Sequence, residues 1–392
     1  MILNNLFKTT NGVLQADPRK CTNGIRGTSY RPGNKLIRML KKDWKDHAAS
    51  IPPYPGSFEG RGIVTCAGKL KYFTCAWVAI SMLRKRGCTL PIEAWYLDYE
   101  LIPEAIEALG KLGVVCRNAS DYPGGSKMAG FLMKPFAILN SSFKEVLFLD
   151  ADNLCTEDPT YLFDSKEYRE TGTIFWPDMW RTSTSNPIWK IVDSNDYNSY
   201  EQESGQIMIN KEKCWKALNL CMYFNVQKDY YYQMLYGDKD TFKFAWVALR
   251  QKYYMIQKPL SFCGYDNERE KTFLGLTMIQ HDMHGKMLFL HRNLHKWDIT
   301  SPEETIWKEI RFFIRKEDEG NVFLTKYTDG NGRSFNAVNI KGETEKLCFK
   351  ENLGNIEEEC MEFLIQIREN PLYGKFLFHM YNVVFRPAYL HQ

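Results

Sequence analysis

The sequence predicts an α/β protein with a mostly parallel central sheet, and three observations carry that expectation. Short apolar runs, Ile63-Val64-Thr65-Cys66, Ile92 to Leu97 and Lys144 to Leu149, read as buried strands. They alternate with stretches whose apolar residues recur at helical spacing, the pattern of strands joined by crossover helices. Glycines mark the joints: Gly68 follows the first run, and Gly87 and Gly113 stop the next two helices.

Taken in order, residues up to Glu59 are polar and end in the turn-rich Ile51-Pro52-Pro53-Tyr54-Pro55-Gly56. They read as an irregular extension lying on the surface. After the first strand, Leu70, Phe73, Trp77 and Ile80 share one helical face, and Arg84 to Arg86 fill the last turn. Pro103 opens a helix carrying Ile106 and Leu109. Met128 to Leu139 reads as helical, with Pro135 marking a kink or a fresh start. The run that follows leads straight into Asp150. Beyond Ser301, Pro302 to Glu319 reads as an amphipathic helix with Ile306, Ile310 and Phe313 on one face. Asp329-Gly330-Asn331-Gly332 separates two candidate strands, and Ile356 to Ile367 aligns Cys360, Phe363 and Ile367 on a last helix. The chain thus divides into an N-terminal extension (1–59), one large α/β domain (60–300) and an α+β C-terminal appendage (301–392).

Bulk composition removes several functions. Among 392 residues, 51 Lys and Arg face 47 Asp and Glu, a formal charge of +4. No basic stripe of the kind nucleic acids require is present, so nucleic acid is set aside as a partner. Eleven cysteines are scattered without a C-x-x-C pair, which favours a reduced compartment and thiols used as small hydrophobes. No stretch reaches the ~20 apolar residues of a membrane span. The chain as given therefore reads as cytoplasmic.

Chemistry is concentrated at strand ends, where α/β sheets bind ligands. Asp150-Ala151-Asp152 leaves the third strand with two carboxylates on one side of an extended chain. Such a pair suits Mn²⁺ or Mg²⁺, and the cation could bridge the phosphates of a nucleotide-sugar. The plainer reading is a pair of turn-capping acids. Leu288-Phe289-Leu290 empties likewise into His291 and Lys296, where an imidazole could complete a metal site and the ammonium could meet a phosphate. A satisfied structural histidine is the alternative. Gly205, in Glu203-Ser204-Gly205-Gln206, permits close approach of a ligand to the backbone. Asp238-Lys239-Asp240 either caps the helix running to Arg250 or works at a sugar. Phe175 to Trp189 is aromatic core or an acceptor platform.

In series, these residues resemble the fungal Mnn-type α-mannosyltransferases, glycosyltransferase family 71. The resemblance runs through Gly60-Arg61-Gly62-Ile63-Val64, Leu90 to Tyr96, Lys134 to Leu139 and Leu147 to Asn153. It continues through Phe175-Trp176-Pro177-Asp178, Glu203 to Gln206, Gly237 to Asp240, Gly275-Leu276-Thr277-Met278 and His291-Arg292-Asn293. It implies a GT-A fold, a nucleotide-sugar donor (GDP-mannose for this family), a divalent metal, and an oligosaccharide or glycoprotein acceptor. It is also similar to glycogenin-like enzymes that retain the anomeric configuration. A Golgi-lumen location follows if an N-terminal anchor, usual in the family, has been removed.

The expected site then has Asp152 and His291 on the metal, with Asp150 on the metal through water or on the donor ribose. Thr65, Cys66, Ala67 and Gly68 receive the base. Lys134, Ala151, Ser204, Gly205 and Gln206 lie along the donor, and Lys296 meets the leaving diphosphate. Asp238, Lys239 and Asp240 form the catalytic group, the two acids orienting the acceptor hydroxyl. Two rival functions remain. A sugar-1-phosphate nucleotidyltransferase would need a Gly-rich loop where Ala67-Gly68-Lys69-Leu70 offers one glycine, and a glycan-binding protein would have no use for intact Asp150, Asp152 and His291.

Overall fold

The computed structural model describes residues 21–384, apart from 23, 198, 269–270 and 329–332. The expected turn Asp329–Gly332 and the segment Met1–Pro18 lie outside the described residues. In chain order the strands are β1 (Cys21–Thr22), β2 (Ile25–Arg26), β3 (Glu59–Cys66), β4 (Ile92–Tyr96), β5 (Val114–Asn118), β6 (Phe143–Leu149), β7 (Asn153–Cys155), β8 (Thr173–Thr182) and β9 (Tyr200–Asn210). There follow β10 (Tyr254–Met255), β11 (Ser261–Asn267), β12 (Thr272–His281), β13 (Met287–His291), β14 (Glu309–Phe313), β15 (Val322–Thr328), β16 (Ser334–Ile340) and β17 (Thr344–Cys348).

The first sheet runs β1-β2-β8-β9-β6-β3-β4-β5. Its β6-β3-β4-β5 half is parallel throughout, and β9 is inserted antiparallel between β6 and β8. The α/β architecture with a mostly parallel central sheet is therefore as expected. Adjacent residues of one strand go to opposite faces. Ile63 and Leu147 enter one apolar cluster, Val64 and Phe148 the other, so both faces of the sheet are covered. The second sheet, β15-β16-β12-β11-β14-β17 with β13 added beside β12 and β7 beside β13, is antiparallel.

Several elements match expectation closely. The helix Lys69–Lys85 follows Gly68, and Pro103 opens the helix Pro103–Lys111. The helix Met133–Asn140 starts late enough to put Pro135 in its first turn, where a missing N–H costs no helical bond.

Two expectations are corrected. The described residues before Glu59 are not all irregular: Asn34–Ser50 is a helix that buries Leu40, Trp44 and Ala48, and the Trp44 indole donates to the Ile191 carbonyl at 2.8 Å. The predicted helix Pro302–Glu319 does not form. Ile310 instead sits in β14, laddered to β11 on one side and β17 on the other. That double pairing outweighs a spacing that merely permitted a helix.

Residues past 301 also complete the second sheet, and Ile306, Ile310, Leu364 and Phe376 share the cluster that holds Ile63 and Phe73. Phe175, Trp176 and Trp189 are fully buried, so this aromatic stretch is core. Among the described residues no helix is long and apolar enough to cross a membrane.

Candidate active site

Strand β6 delivers its last residue, Leu149, beside Gln206 of β9, and the next amide, that of Asp150, donates to the Gly205 carbonyl at 2.8 Å. A tight turn follows, with the Asn153 amide donating to the Asp150 carbonyl at 3.0 Å. Beyond it β7 pairs antiparallel with β13, placing Asn153 opposite His291. This ladder joins two segments that are far apart in sequence. His291 Nε2 lies 3.3 Å from an Asp152 oxygen and 3.8 Å from an Asp150 oxygen, and its Nδ1 lies 3.2 Å from Glu203 Oε1.

Gly205 is the residue that makes room. A Cβ there would sit 2.4 Å from His291 Nδ1 and 3.0 Å from Glu203 Oε1. Its own N–H donates to Glu203 Oε1 at 2.7 Å, fixing that carboxylate beside the imidazole.

These groups line one cavity of about 600 Å³ at the carboxyl ends of β3, β4 and β6. On one flank stand Cys66, Gly68, Tyr72, Trp95 and Glu100; on the other, Phe131, Tyr236, Gly237, Asp238 and Lys239. Lys134 spans the floor. Its ammonium lies 3.0 Å from Asp150 and 3.3 Å from Asp238, and it donates to the Ser204 carbonyl and hydroxyl, both at 2.9 Å. Lys296 reaches the rim and pairs with Asp152.

Electrostatics follow from this crowding of charge. Burial pushes the Lys134 ammonium down, but Asp150, Asp238 and Glu203 outweigh it and hold its pKa above the ordinary lysine value. Burial pushes Glu203 up, whereas His291, Lys134 and Lys239 prevail and bring it down to about 2. Lys296 is lowered by burial.

Behind the cavity wall lies a second charged cluster. Lys239 donates to Glu201 at 2.8 Å and to Asp240 at 3.0 Å, and it pairs with Asp178 at 2.6 Å. Arg26, fully buried, clasps Glu201 at 2.7 Å and reaches Asp240 at 3.6 Å. Three carboxylates thus meet two cations. Burial, with Glu203 and Glu201 nearby, raises Asp178 to about 6 despite Lys239.

Of the residues expected at the site, Cys66, Gly68, Lys134, Asp150, Ala151, Asp152, Ser204, Asp238, Lys239, His291 and Lys296 line the cavity. Gly205 lies directly behind His291. Thr65, Ala67, Gln206 and Asp240 do not line it. Thr65 is buried, and the Ala67 amide is committed to the Trp95 carbonyl at 2.9 Å. Gln206 accepts from the Asn153 amide group at 2.6 Å. Asp240 accepts from the Gln202 amide at 3.0 Å and has no exposed surface.

Sequence reasoning missed Glu203 as a functional group, although it stands two residues before a glycine that faces a histidine. It also missed Glu100, which nothing in its neighbourhood marks. Asp150, Glu203 and His291 offer donor atoms within 4.8 Å of one another, with Asp152 adjoining. Carboxylate oxygens with one imidazole form a donor set that fits Mn²⁺ or Mg²⁺.

The cavity at the ends of the parallel strands thus gathers acids, one imidazole and four lysines, Lys69, Lys134, Lys239 and Lys296. The chain belongs to the family whose model is described as "Mannosyltransferase putative" and which matches residues 60–202 and 195–282. The Mnn-type resemblance is thereby borne out. The chain is 30% identical over 304 residues to alpha-1,2-mannosyltransferase MNN5 of Saccharomyces cerevisiae, covering 59% of this chain and 50% of that protein. It is 30% identical over 290 residues to alpha-1,2-mannosyltransferase MNN24 of Candida albicans, covering 62% and 41%. The chain thus spans about half the length of the curated relatives it matches. Among solved structures, the glycosyltransferase GlyE of Streptococcus pneumoniae is 17% identical with a TM-score of 0.36, covering 51% of this chain and 46% of that one. Arg26 precedes the family match, and His291 and Lys296 follow it.

Proposed function

We propose that this chain is a metal-dependent, retaining glycosyltransferase of GT-A type that moves mannose from GDP-mannose to a hydroxyl of an oligosaccharide or glycoprotein. The observation that carries this reading is the convergence of Asp150, Asp152, Glu203 and His291 with Lys134 and Lys296 in one cavity. Relatives named as alpha-1,2-mannosyltransferases support the choice of sugar.

Asp150, Asp152 and His291 would hold the divalent ion, Mn²⁺ or Mg²⁺, with Glu203 orienting the imidazole from behind. When bound, the ion neutralises charge developing on the leaving diphosphate. The chain's own groups do the rest. Lys296 supplies a second positive charge at the diphosphate. Lys134, held charged by three acids, stands beside Ser204 where the transferred sugar would lie. Cys66 and Gly68 border the base. Asp238 orients the acceptor, and Lys239 keeps that wall of the cavity in place. Retention follows if the acceptor oxygen attacks from the face the diphosphate leaves, the departing phosphate oxygen taking the hydroxyl proton. No dedicated base is needed for that exchange.

The test is to incubate the protein with Mn²⁺ and a panel of GDP- and UDP-sugars and follow donor hydrolysis and transfer. One donor should turn over in a metal-dependent way. Asp152→Ala should then cost on the order of 3 kcal/mol in the barrier, roughly a hundredfold in rate. Near-normal turnover by that variant would remove Asp152 from the metal site. Silence across the panel, with folded protein, would favour a glycan-binding role.

A further inference from the structure

Lys296 sits on the loop that follows β13, and that loop is pinned from outside by one helix, Ile356–Glu369. Both lie beyond the stretch matched by the family model. Glu357, in the first turn of the helix, is 3% exposed and fully engaged. Its Oε1 accepts from Arg292 at 2.8 Å and from the Ile306 amide at 2.9 Å, and its Oε2 accepts from the Trp307 amide at 2.8 Å. Arg292, so anchored, donates to the His295 carbonyl at 2.8 Å and the Thr300 hydroxyl at 3.0 Å. Its guanidinium also lies 3.9 Å from the centre of the Trp297 ring.

In the last turn of the same helix, Arg368 donates to the carbonyls of Thr300 at 2.6 Å, Asp298 at 2.8 Å and Trp297 at 3.1 Å. Those residues form the short turn directly after Lys296, and the Thr300 hydroxyl donates back to the Lys296 carbonyl at 3.0 Å. A guanidinium with its planar fork can hold several carbonyls in fixed relation, which an ammonium cannot do as well.

We propose that Arg368 and Glu357 are positioning residues that act through Lys296. They fix the loop 292–300 so that the Lys296 ammonium is presented to the donor diphosphate before the donor arrives. A lysine on a free loop would lose both loop and side-chain freedom on binding, and that cost falls on affinity. The C-terminal segment is thereby part of the donor site. This inference rests on the diphosphate role proposed for Lys296.

The experiment measures GDP binding in the presence of Mn²⁺ and, separately, Mn²⁺ binding without nucleotide, by calorimetry on the full chain. Lys296→Met should weaken GDP about tenfold or more, the worth of one charge-assisted contact. Arg368→Met should weaken GDP by about five- to tenfold while leaving Mn²⁺ affinity unchanged. The double variant should be no weaker than Lys296→Met, because two residues acting through one contact are not additive. Arg368→Lys should fall between wild type and Arg368→Met. Glu357→Gln, which turns one of the two acceptor oxygens into a donor amide and loses the charge facing Arg292, should weaken GDP in the same direction, and it carries the test if Arg368→Met fails to fold.

Effects that multiply in the double variant, or parallel losses of GDP and Mn²⁺ binding, would overturn the positioning role alone. Normal GDP binding by Lys296→Met would remove the role of Lys296 and this inference with it. A wild-type chain that binds Mn²⁺ but neither GDP nor UDP would overturn the proposed function as well.

Discussion

Replacing Arg26 by Met tests whether the segment before residue 60 belongs to the core of the protein. Arg26 has no exposed surface and contacts Glu201 through three short approaches of 2.7 to 2.9 Å. Methionine fills much of the volume but leaves Glu201, Asp240 and Asp178 with Lys239 as their paired cation and only Lys243 nearby. Breaking a buried pair from one side costs about 3–5 kcal/mol, because the remaining charge stays buried without compensation. For 392 residues at ~2 cal/mol/K each, the unfolding entropy is about 0.8 kcal/mol per degree, so Tm should fall by about 4–6 °C. Scanning calorimetry at pH 7 reads this directly. The double variant Arg26→Met/Glu201→Gln should recover part of the loss, since it removes the stranded charge. A fall of less than a degree in the single variant, or no recovery in the double, would refute the network as described.

Two further outcomes follow from the site. Gly205→Ala places a methyl group 2.4 Å from His291 Nδ1, so it should displace the imidazole and weaken Mn²⁺ at least about tenfold; unchanged Mn²⁺ affinity by calorimetry would contradict the packing at that glycine. Asp178 titrates at about 6 when folded, above the ordinary carboxylate value of ~3.9. The native state then holds a proton that the unfolded chain has lost, so this group's contribution is full below about pH 4 and disappears as pH rises through about 6. The Tm difference between wild type and Asp178→Asn should therefore change across pH 4 to 7, and a flat difference would count against it.

The parallel half of the first sheet was legible because its strands are short apolar runs with glycine at their ends, and both halves of the proposed metal site were legible because each follows such a run. The helix Asn34–Ser50 was missed although Leu36, Leu40, Trp44 and Ala48 recur at fours; its lysines and its proline-rich exit made the segment look like linker. The false helix after Pro302 shows the opposite error. Ile306, Ile310 and Phe313 suit a helical face, but the strand ladders on both sides of β14 decide the matter, and those partners are distant in sequence. Asp240 looked catalytic through its place in Gly237-Asp238-Lys239-Asp240. Only the fold shows that Asp238 faces the cavity while Asp240 faces Arg26, because Arg26 comes from a strand some two hundred residues earlier. Glu203 was hidden for a similar reason: its partner, His291, is met only through the second sheet.

The pairing of β7 with β13 has a mechanical consequence. Asp152 and His291 are set side by side by a ladder in which β7 contributes three residues. Strand faces alternate, so a slip of one position would turn His291 away and present a neighbour instead. The proposed metal site hangs on this short ladder within the second sheet, which the chain enters as it leaves β6 of the first. Loosening that ladder would silence the proposed chemistry while the rest of both sheets stayed paired. Gentle heating should therefore extinguish activity before any loss of secondary structure, and a bound ion should close that gap.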